Sequence, residues 1–232
     1  MLILGIDTSG KSGGVTLAEG GDAGFLVIES APIAGGTFSA QLVPTVASLL
    51  QKHGFNAKDL DGFAVASGPG SFTGLRIGLS AVKGLAEVLR KPIVTVSVLE
   101  ALASRSSAGG TVMAALDAGR SEVFCGVYAV DRSGAQGPGD VKALEEELLS
   151  QTEFLKRAHD QNIATVATSD GNIAEAAAGA HLKSELVERP DSALIARVGL
   201  RKLLRGETVS VDVLDANYLR RSDAEIFSKG AR

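Results

Sequence analysis

Twice in this chain an apolar run ends in an aspartate, turns through small polar residues and returns as a second run. The first copy is Leu2-Ile3-Leu4-Gly5-Ile6-Asp7, a turn over Thr8 to Gly14, then Val15-Thr16-Leu17-Ala18-Glu19. The second is Val112-Met113-Ala114-Ala115-Leu116-Asp117, then Ala118-Gly119-Arg120, then the alternating stretch Glu122 to Val130. Each reads as strand, turn and returning strand. Self-similarity at this scale predicts two domains of one α/β design, the second starting near Gly109. Aspartate is also common in turns for local reasons, so its role in the two hairpins stays open.

A second stretch organises the first half. Gly62-Phe63-Ala64-Val65-Ala66 fits a buried strand, and Ser67-Gly68-Pro69-Gly70-Ser71-Phe72-Thr73-Gly74-Leu75-Arg76 follows it. Pro69 cannot donate to a sheet ladder, and Gly68 and Gly70 permit backbone angles closed to other residues, so the strand ends in a tight turn. Ser71 or Thr73 can then cap a helix running to about Leu89. Gly74, Gly78 and Ala81 fall at helical spacing along it, as do Leu75, Leu79, Val82 and Leu89. An interior helical glycine costs about 1 kcal/mol relative to alanine, so Gly78 and Gly84 read as selected for close approach by another element. Two readings of the turn remain: free N–H groups that hold an anion, or a corner whose small residues admit a neighbouring helix.

Gly5 to Ser12 also fits the phosphate-binding pattern G-x-x-x-x-G-K-[ST]. That pattern works only where the loop opens into a helix, and here Gly13-Gly14 and the alternating Val15-Thr16-Leu17 follow Lys11, so the match is accidental. Phe25 to Glu29 is a third strand. Leu42, Val46, Leu49 and Leu50 mark a helix that starts near Gln41 or kinks at Pro44 and stops at Gly54. Beyond the first half, Ile93 to Ser97 reads as a strand and Val98 to Arg105 as a helix. Val141 to Leu149 and Thr152 to His159 read as helices, Ile163 to Ala167 as a strand, and Ile173 to Ala178 as a helix. Ser192 caps a last helix through Leu204, closed by Gly206.

Composition narrows the function classes. The 232 residues are long for one domain and short for two full ones. With 45% hydrophobic and 22% charged residues the chain has the make-up of a soluble globular protein. A net charge of −4 argues against a chain that holds nucleic acid mainly by its phosphates, though not against membership of a complex that does. The single cysteine, Cys125, forms no internal disulfide and suits a reducing cytosol. The start lacks a basic region before its apolar run, and no stretch reaches membrane-spanning length, so a cytoplasmic protein is expected. His53, His159 and His181 lie in no metal-binding pattern, and no G-x-S-x-G nucleophile elbow is present.

Leu2 to Ser9, the block Gly68 to Gly78, Leu116 to Phe124 and Tyr218-Leu219-Arg220, in this order, resemble the bacterial TsaB (YeaZ) family. The resemblance implies the actin-like, ribonuclease H-like α/β fold shared with acetate kinase and Hsp70, with two duplicated domains, the second reduced. The expected division is 1–106, with the 192–206 helix packing back on it, then 107–191, then an extension over 207–232. The family is implied to serve the transfer of a threonylcarbamoyl group to the tRNA adenosine beside the anticodon. Its implied role is that of a non-catalytic scaffold without cofactor, bound to the catalytic paralogue TsaD and completed by the ATPase TsaE. It would meet tRNA only through that complex and stay off membranes; whether it forms a homodimer in isolation stays open. TsaD-like proteins carry an H-x-x-x-H metal pair where this chain has Val98 and Leu102, and aliphatic side chains cannot ligate a metal. Two departures stand out. Phe38-Ser39 replaces a common His-Ser or His-Thr pair, and Ala216 stands near a usual proline.

The resemblance further implies a vestigial nucleotide cleft at Asp7, Thr8, Ser9, Gly68, Gly70, Asp117 and Gly119. The partner interface is expected on Leu42, Val46, Gly74, Leu75, Gly78, Leu79 and Val82. The rival readings are a small-molecule kinase of the same fold and a glycoprotease-like metallopeptidase. The compact second half and the missing ligand pair weigh against them.

Overall fold

A computed structural model describes residues 1–21, 24–133, 138–217 and 219, and divides the chain into two compact units. The first comprises Met1–Ala101 and Arg189–Ala216, and the second takes in Leu102–Glu188. Tyr218, Arg220 and the tail after them lie outside the described residues.

The first unit is built on a five-stranded sheet with the order β3-β2-β1-β4-β5. Its strands are β1 (Leu2–Asp7), β2 (Ser12–Gly21), β3 (Gly24–Ala34), β4 (Gly62–Gly68) and β5 (Ile93–Ser97). β1 runs antiparallel to β2 and parallel to β4, and every residue of β1 is buried. Such a strand must be apolar on both faces, as Leu2 to Ile6 is. Two helices, α1 (Phe38–Lys52) and α2 (Phe72–Leu89), cover one face with a core that includes Leu4, Ile6, Phe63, Leu75 and Val82. α1 begins at Phe38 and continues through Pro44. Ser71 caps α2, its side chain accepting from Gly74 N.

Successive strand residues point to opposite faces, so Gly5 and Ala64 look the other way from Leu4, Ile6, Phe63 and Val65. Onto that face comes α6 (Ser192–Leu204), whose own cap is the Asp191 side chain accepting from Leu194 N at 2.9 Å. A Cβ on Gly5 would lie 2.5 Å from Ala196 Cβ, and one on Gly199 would lie 2.2 Å from Ala64 Cβ. Small residues on both partners thus bring helix and sheet into backbone contact. After β5 comes α3 (Val98–Ser104), whose first residues belong to the first unit and whose last, from Leu102, to the second. Its Glu100 accepts from Lys202 Nζ at 3.2 and 3.0 Å, an ion pair largely withdrawn from water.

The second unit repeats the plan. Its strands are β6 (Gly110–Gly119), β7 (Glu122–Asp131), β8 (Asp140–Ser150), β9 (Thr165–Thr168) and β10 (Lys183–Leu186), in the order β10-β9-β6-β7-β8. β6 is antiparallel to β7 and parallel to β9, as β1 is to β2 and β4, so the two sheets share one connectivity. The reduction shows in length: β9 has 4 residues where β4 has 7, and α5 (Gly171–Gly179) has 9 where α2 has 18. α4 (Gln151–Asp160) and α5 supply Phe154, Ala158, Ile173 and Ala177 to its core. The expected helix over Val141 to Leu149 is instead the edge strand β8, paired with β7 from Glu122↔Ser150 to Asp131↔Asp140. Its Ala, Leu and Glu residues favour a helix, but the ladder offered by β7 overrides that preference. β10 was not anticipated; four residues of mixed character carry no periodic signal.

One carboxylate ties the end of this sheet to the loop after α3. Glu185 accepts from Ser106 Oγ (2.7 Å), Ser107 Oγ (2.6 Å), Ser107 N (3.0 Å) and Lys183 Nζ (3.1 Å). Burial alone would raise its pKa, but these bonds hold it down at about 2, against an ordinary value of 4.5. A lowered folded-state pKa contributes stability that is full above 4.5 and is lost as the pH falls toward 2. Glu185→Gln should therefore show a flatter melting temperature than wild type between pH 5 and about 2.5. Parallel curves for the two proteins over that range would refute the assignment.

Candidate functional site

Three places in the fold gather the residues of interest. The first is the turn after β1. Asp7 is buried, and its Oδ1 accepts from Ser9 N at 2.8 Å. Burial raises its pKa, against the hydrogen bonds from Ser9 and the nearby charge of Arg189, while Asp191 adds to the rise. Thr8 Oγ1 and Ser9 Oγ are buried without a hydrogen-bond partner. The corner after β4 packs directly on this turn. Ser71 N donates to Ser9 O at 2.7 Å, and a Cβ on Gly70 would lie 2.3 Å from Ser9 O. One on Gly74 would lie 2.1 Å from Thr8 O, and one on Gly78 2.3 Å from Thr8 Oγ1. Gly68, at φ +113, adopts an angle that favours glycine, and its bond to Pro69 is cis. Thr8, Ser9, Gly70, Gly74 and Gly78 thus meet in a close-packed corner, which Gly68 leads into, and the neighbour admitted by the glycines is the β1 turn rather than a helix. Gly84 is different, since a Cβ there meets nothing within 4 Å.

The matching turn of the second unit is open. Asp117 is exposed, its Oδ1 accepts from Gly119 N at 2.7 Å, and its own N donates to Asp170 Oδ2 at 2.9 Å. Gly119, Arg120 and Ser121 follow one another at positive φ (71, 57 and 59). Both aspartates therefore brace their turns by the same bond to the N–H two residues on, one in a buried setting and one in water. Lys11 lies in the hairpin before β2, where its carbonyl accepts from Gly35 N, and no helix follows.

The third place is the outer side of α1 and α2. Here the expected interface residues require correction. Leu42, Val46, Leu75, Leu79 and Val82 are between 0% and 6% exposed and belong to the core beneath the helices, while Gly74 and Gly78 face the β1 turn. Their helical spacing marks the face turned inward, which is reached from outside only at Leu42, in the floor of a groove. What the two helices present to solvent is a groove of about 540 Å³ floored by Phe38 and Leu42. Val43 (53% exposed), Phe72, Arg76 and Ser80 line it. Arg76 Cζ sits 3.9 Å from the centre of the Phe72 ring. From Phe38 to Gln51, α1 carries no charged side chain, although much of it is exposed. That run was the available signal for this face, and the inward apolar period masked it.

Among the described residues no three His, Cys, Asp or Glu side chains are grouped to hold a metal. Val98 and Leu102 are both fully buried in and around α3. His53 follows α1, with Nε2 2.7 Å from Glu29, His159 lies in α4, and His181 takes φ +61 beyond α5. Cys125 is buried in β7, and burial pushes its thiol up to about 12. No helix among the described residues is long and apolar enough to cross a membrane.

A family model described as TsaD, tRNA N6-adenosine threonylcarbamoyltransferase, matches residues 32–178. The chain is 37% identical over 129 residues to the Bacillus subtilis tRNA threonylcarbamoyladenosine biosynthesis protein TsaB, covering 55% of each. With the Escherichia coli protein of that name it shares 33% over 137 residues, 58% of each. The chain thus spans about half the length of the curated relatives it matches. The solved structure of YeaZ from Pseudomonas aeruginosa is similar over 93% of this chain and 100% of that one, with a TM-score of 0.70 and 25% identity.

Proposed function

We propose, from the premise that this chain belongs to the TsaD family and to its TsaB/YeaZ group, that it is a non-catalytic subunit in tRNA threonylcarbamoylation. In this reading it works in the cytoplasm by docking the catalytic paralogue TsaD on the α1–α2 groove, and TsaE joins the assembly. tRNA is met through the complex and not by this chain alone. The observation that carries the reading is the groove itself. An exposed helix free of charge from Phe38 to Gln51, beside exposed Val43 and a Phe72–Arg76 stack, has the composition of an interface centre. Charge is depleted there and aromatic residues and arginine are retained. Val98 and Leu102, aliphatic where the paralogue has its ligand pair, support a role without catalytic metal.

Val43→Asp tests this. An unpaired carboxylate buried on docking costs several kcal/mol, so affinity for TsaD should fall by about 100-fold or more. tRNA modification by the reconstituted mixture should fall with it. The melting temperature should hold, because Val43 is half exposed. A folded Val43→Asp chain that bound TsaD as tightly as wild type would remove the groove from consideration. Gly78→Arg is no substitute, since it would break the corner against Thr8 before any partner was met.

A further inference from the structure

We infer that residues 220–228 dock along the outer edge of β8, closing the second sheet with a segment of the chain's own. β8 stands last in the order β10-β9-β6-β7-β8, and among the described residues it is paired on one side only. An edge strand of 11 residues is a template for a further strand, because its outward N–H and C=O groups recur at strand spacing. Leu144, passed over where the β7–β8 register shifts, is 58% exposed there.

Charge decides which strand fits. Glu145, Glu146 and Glu147 follow one another on β8. Glu145 and Glu147 share a single cation, Arg157 of α4. Glu146 accepts from Tyr128 Oη and from Asn217 Nδ2, both neutral, and no ion pair reaches it among the described residues. Three carboxylates are thus answered by one guanidinium. Asn217 belongs to the same unit as β8, and the chain leaves from it in a tight turn, Leu219 N donating to Asn217 O at 3.1 Å. Residues 220–232 lie outside the described residues. Their sequence opens with Arg220-Arg221, whose backbones can stand no farther than about 11 and 14 Å from that of Asn217. With Lys229 and Arg232 there are four cationic residues against Asp223 and Glu225, in a chain of net charge −4. Nine extended residues cover about 30 Å, close to the length of β8, and Ile226 and Phe227 supply apolar side chains for Leu144. The β8 of a second copy fits worse: it would set three more glutamates against these three, and like charges destabilise a strand pair.

The test uses the full chain with a nitroxide on Ser228→Cys; the buried thiol of Cys125, pushed up to about 12, stays unlabelled. Amide signals of β8 should broaden, those of β3 at the edge of the other sheet should not, and the effect should weaken as salt is added. It should persist when the doubly labelled chain is diluted in a large excess of unlabelled chain. The Arg220→Glu, Arg221→Glu variant should lose the broadening, and its β8 amides should exchange hydrogen about tenfold faster, with the remaining strands unchanged. Absence of broadening at β8, or its survival in that variant, would overturn the inference. Broadening lost on dilution would overturn it as well, since the segment would then dock on another copy.

Discussion

Gly199→Val is expected to leave the first unit unable to close. The new Cβ would stand 2.2 Å from Ala64 Cβ and 3.2 Å from Val94 Cγ2, and neither neighbour has a flexible end that can swing aside. Gly5 meets the same helix from the sheet side, 2.5 Å from both Ala196 Cβ and Ser192 O, so Gly5→Val should do the same. Overpacking typically costs 1–3 kcal/mol, and here the whole of α6 must lift, so the loss should exceed about 3 kcal/mol. Against a total stability of about 5–15 kcal/mol, that brings the chain near unfolding. The measurement is the urea midpoint, with Gly84→Ala as contrast. Its Cβ meets nothing, and removing an exposed helical glycine should add up to about 1 kcal/mol. A Gly199→Val chain with the wild-type midpoint would mean that α6 does not pack as described.

Glu100→Ala should cost about 3 kcal/mol, because it strands the Lys202 ammonium in a setting where its side chain is only 18% exposed. Much of that loss is the cost of an uncompensated charge and not the net worth of the pair. The combined Glu100→Leu, Lys202→Met variant should therefore recover most of it. A double-mutant cycle read from denaturation midpoints separates the two contributions. Because the pair is shielded, its coupling should change little with added salt. A double variant no more stable than Glu100→Ala alone would contradict this account.

Much of the architecture was legible because it rests on strong local signals. The apolar runs ending at Asp7 and Asp117 are the two central strands, and Ser71, a serine just before a periodic run, is the α2 cap. The duplicated hairpin extends into full strand-for-strand correspondence, which the sequence half-concealed in β8. There Glu145, Glu146 and Glu147 look like one turn of a charged helix, yet lie on an edge strand opposite Val127, Gly126 and Cys125. Periodicity shows that a helix has an apolar face but not which way it turns. The spacing of Leu75, Leu79 and Val82 therefore suits a partner as well as it suits the sheet of their own unit, which claims them. Glycine carries the same ambiguity: Gly78 and Gly84 look alike in sequence, and only the position of Thr8 distinguishes them.

The placing of α6 also bears on the order in which the protein can be made. The sheet of the first unit begins at Leu2, but the helix that covers its second face is not complete until Leu204. The ribosome must deliver the entire second unit in between. Until then Gly5, Ala64 and the strands around them have one side uncovered. At about 5–20 residues per second that interval lasts many seconds, long beside the microseconds in which hairpins form. The Leu102–Glu188 stretch of the second unit holds all of that unit's sheet together with α4 and α5, and can fold on the nascent chain while the earlier-made unit waits. The N-terminal half is then the later of the two to finish folding, and the nascent chain must keep that bare sheet face from aggregating until residue 204 has cleared the exit tunnel.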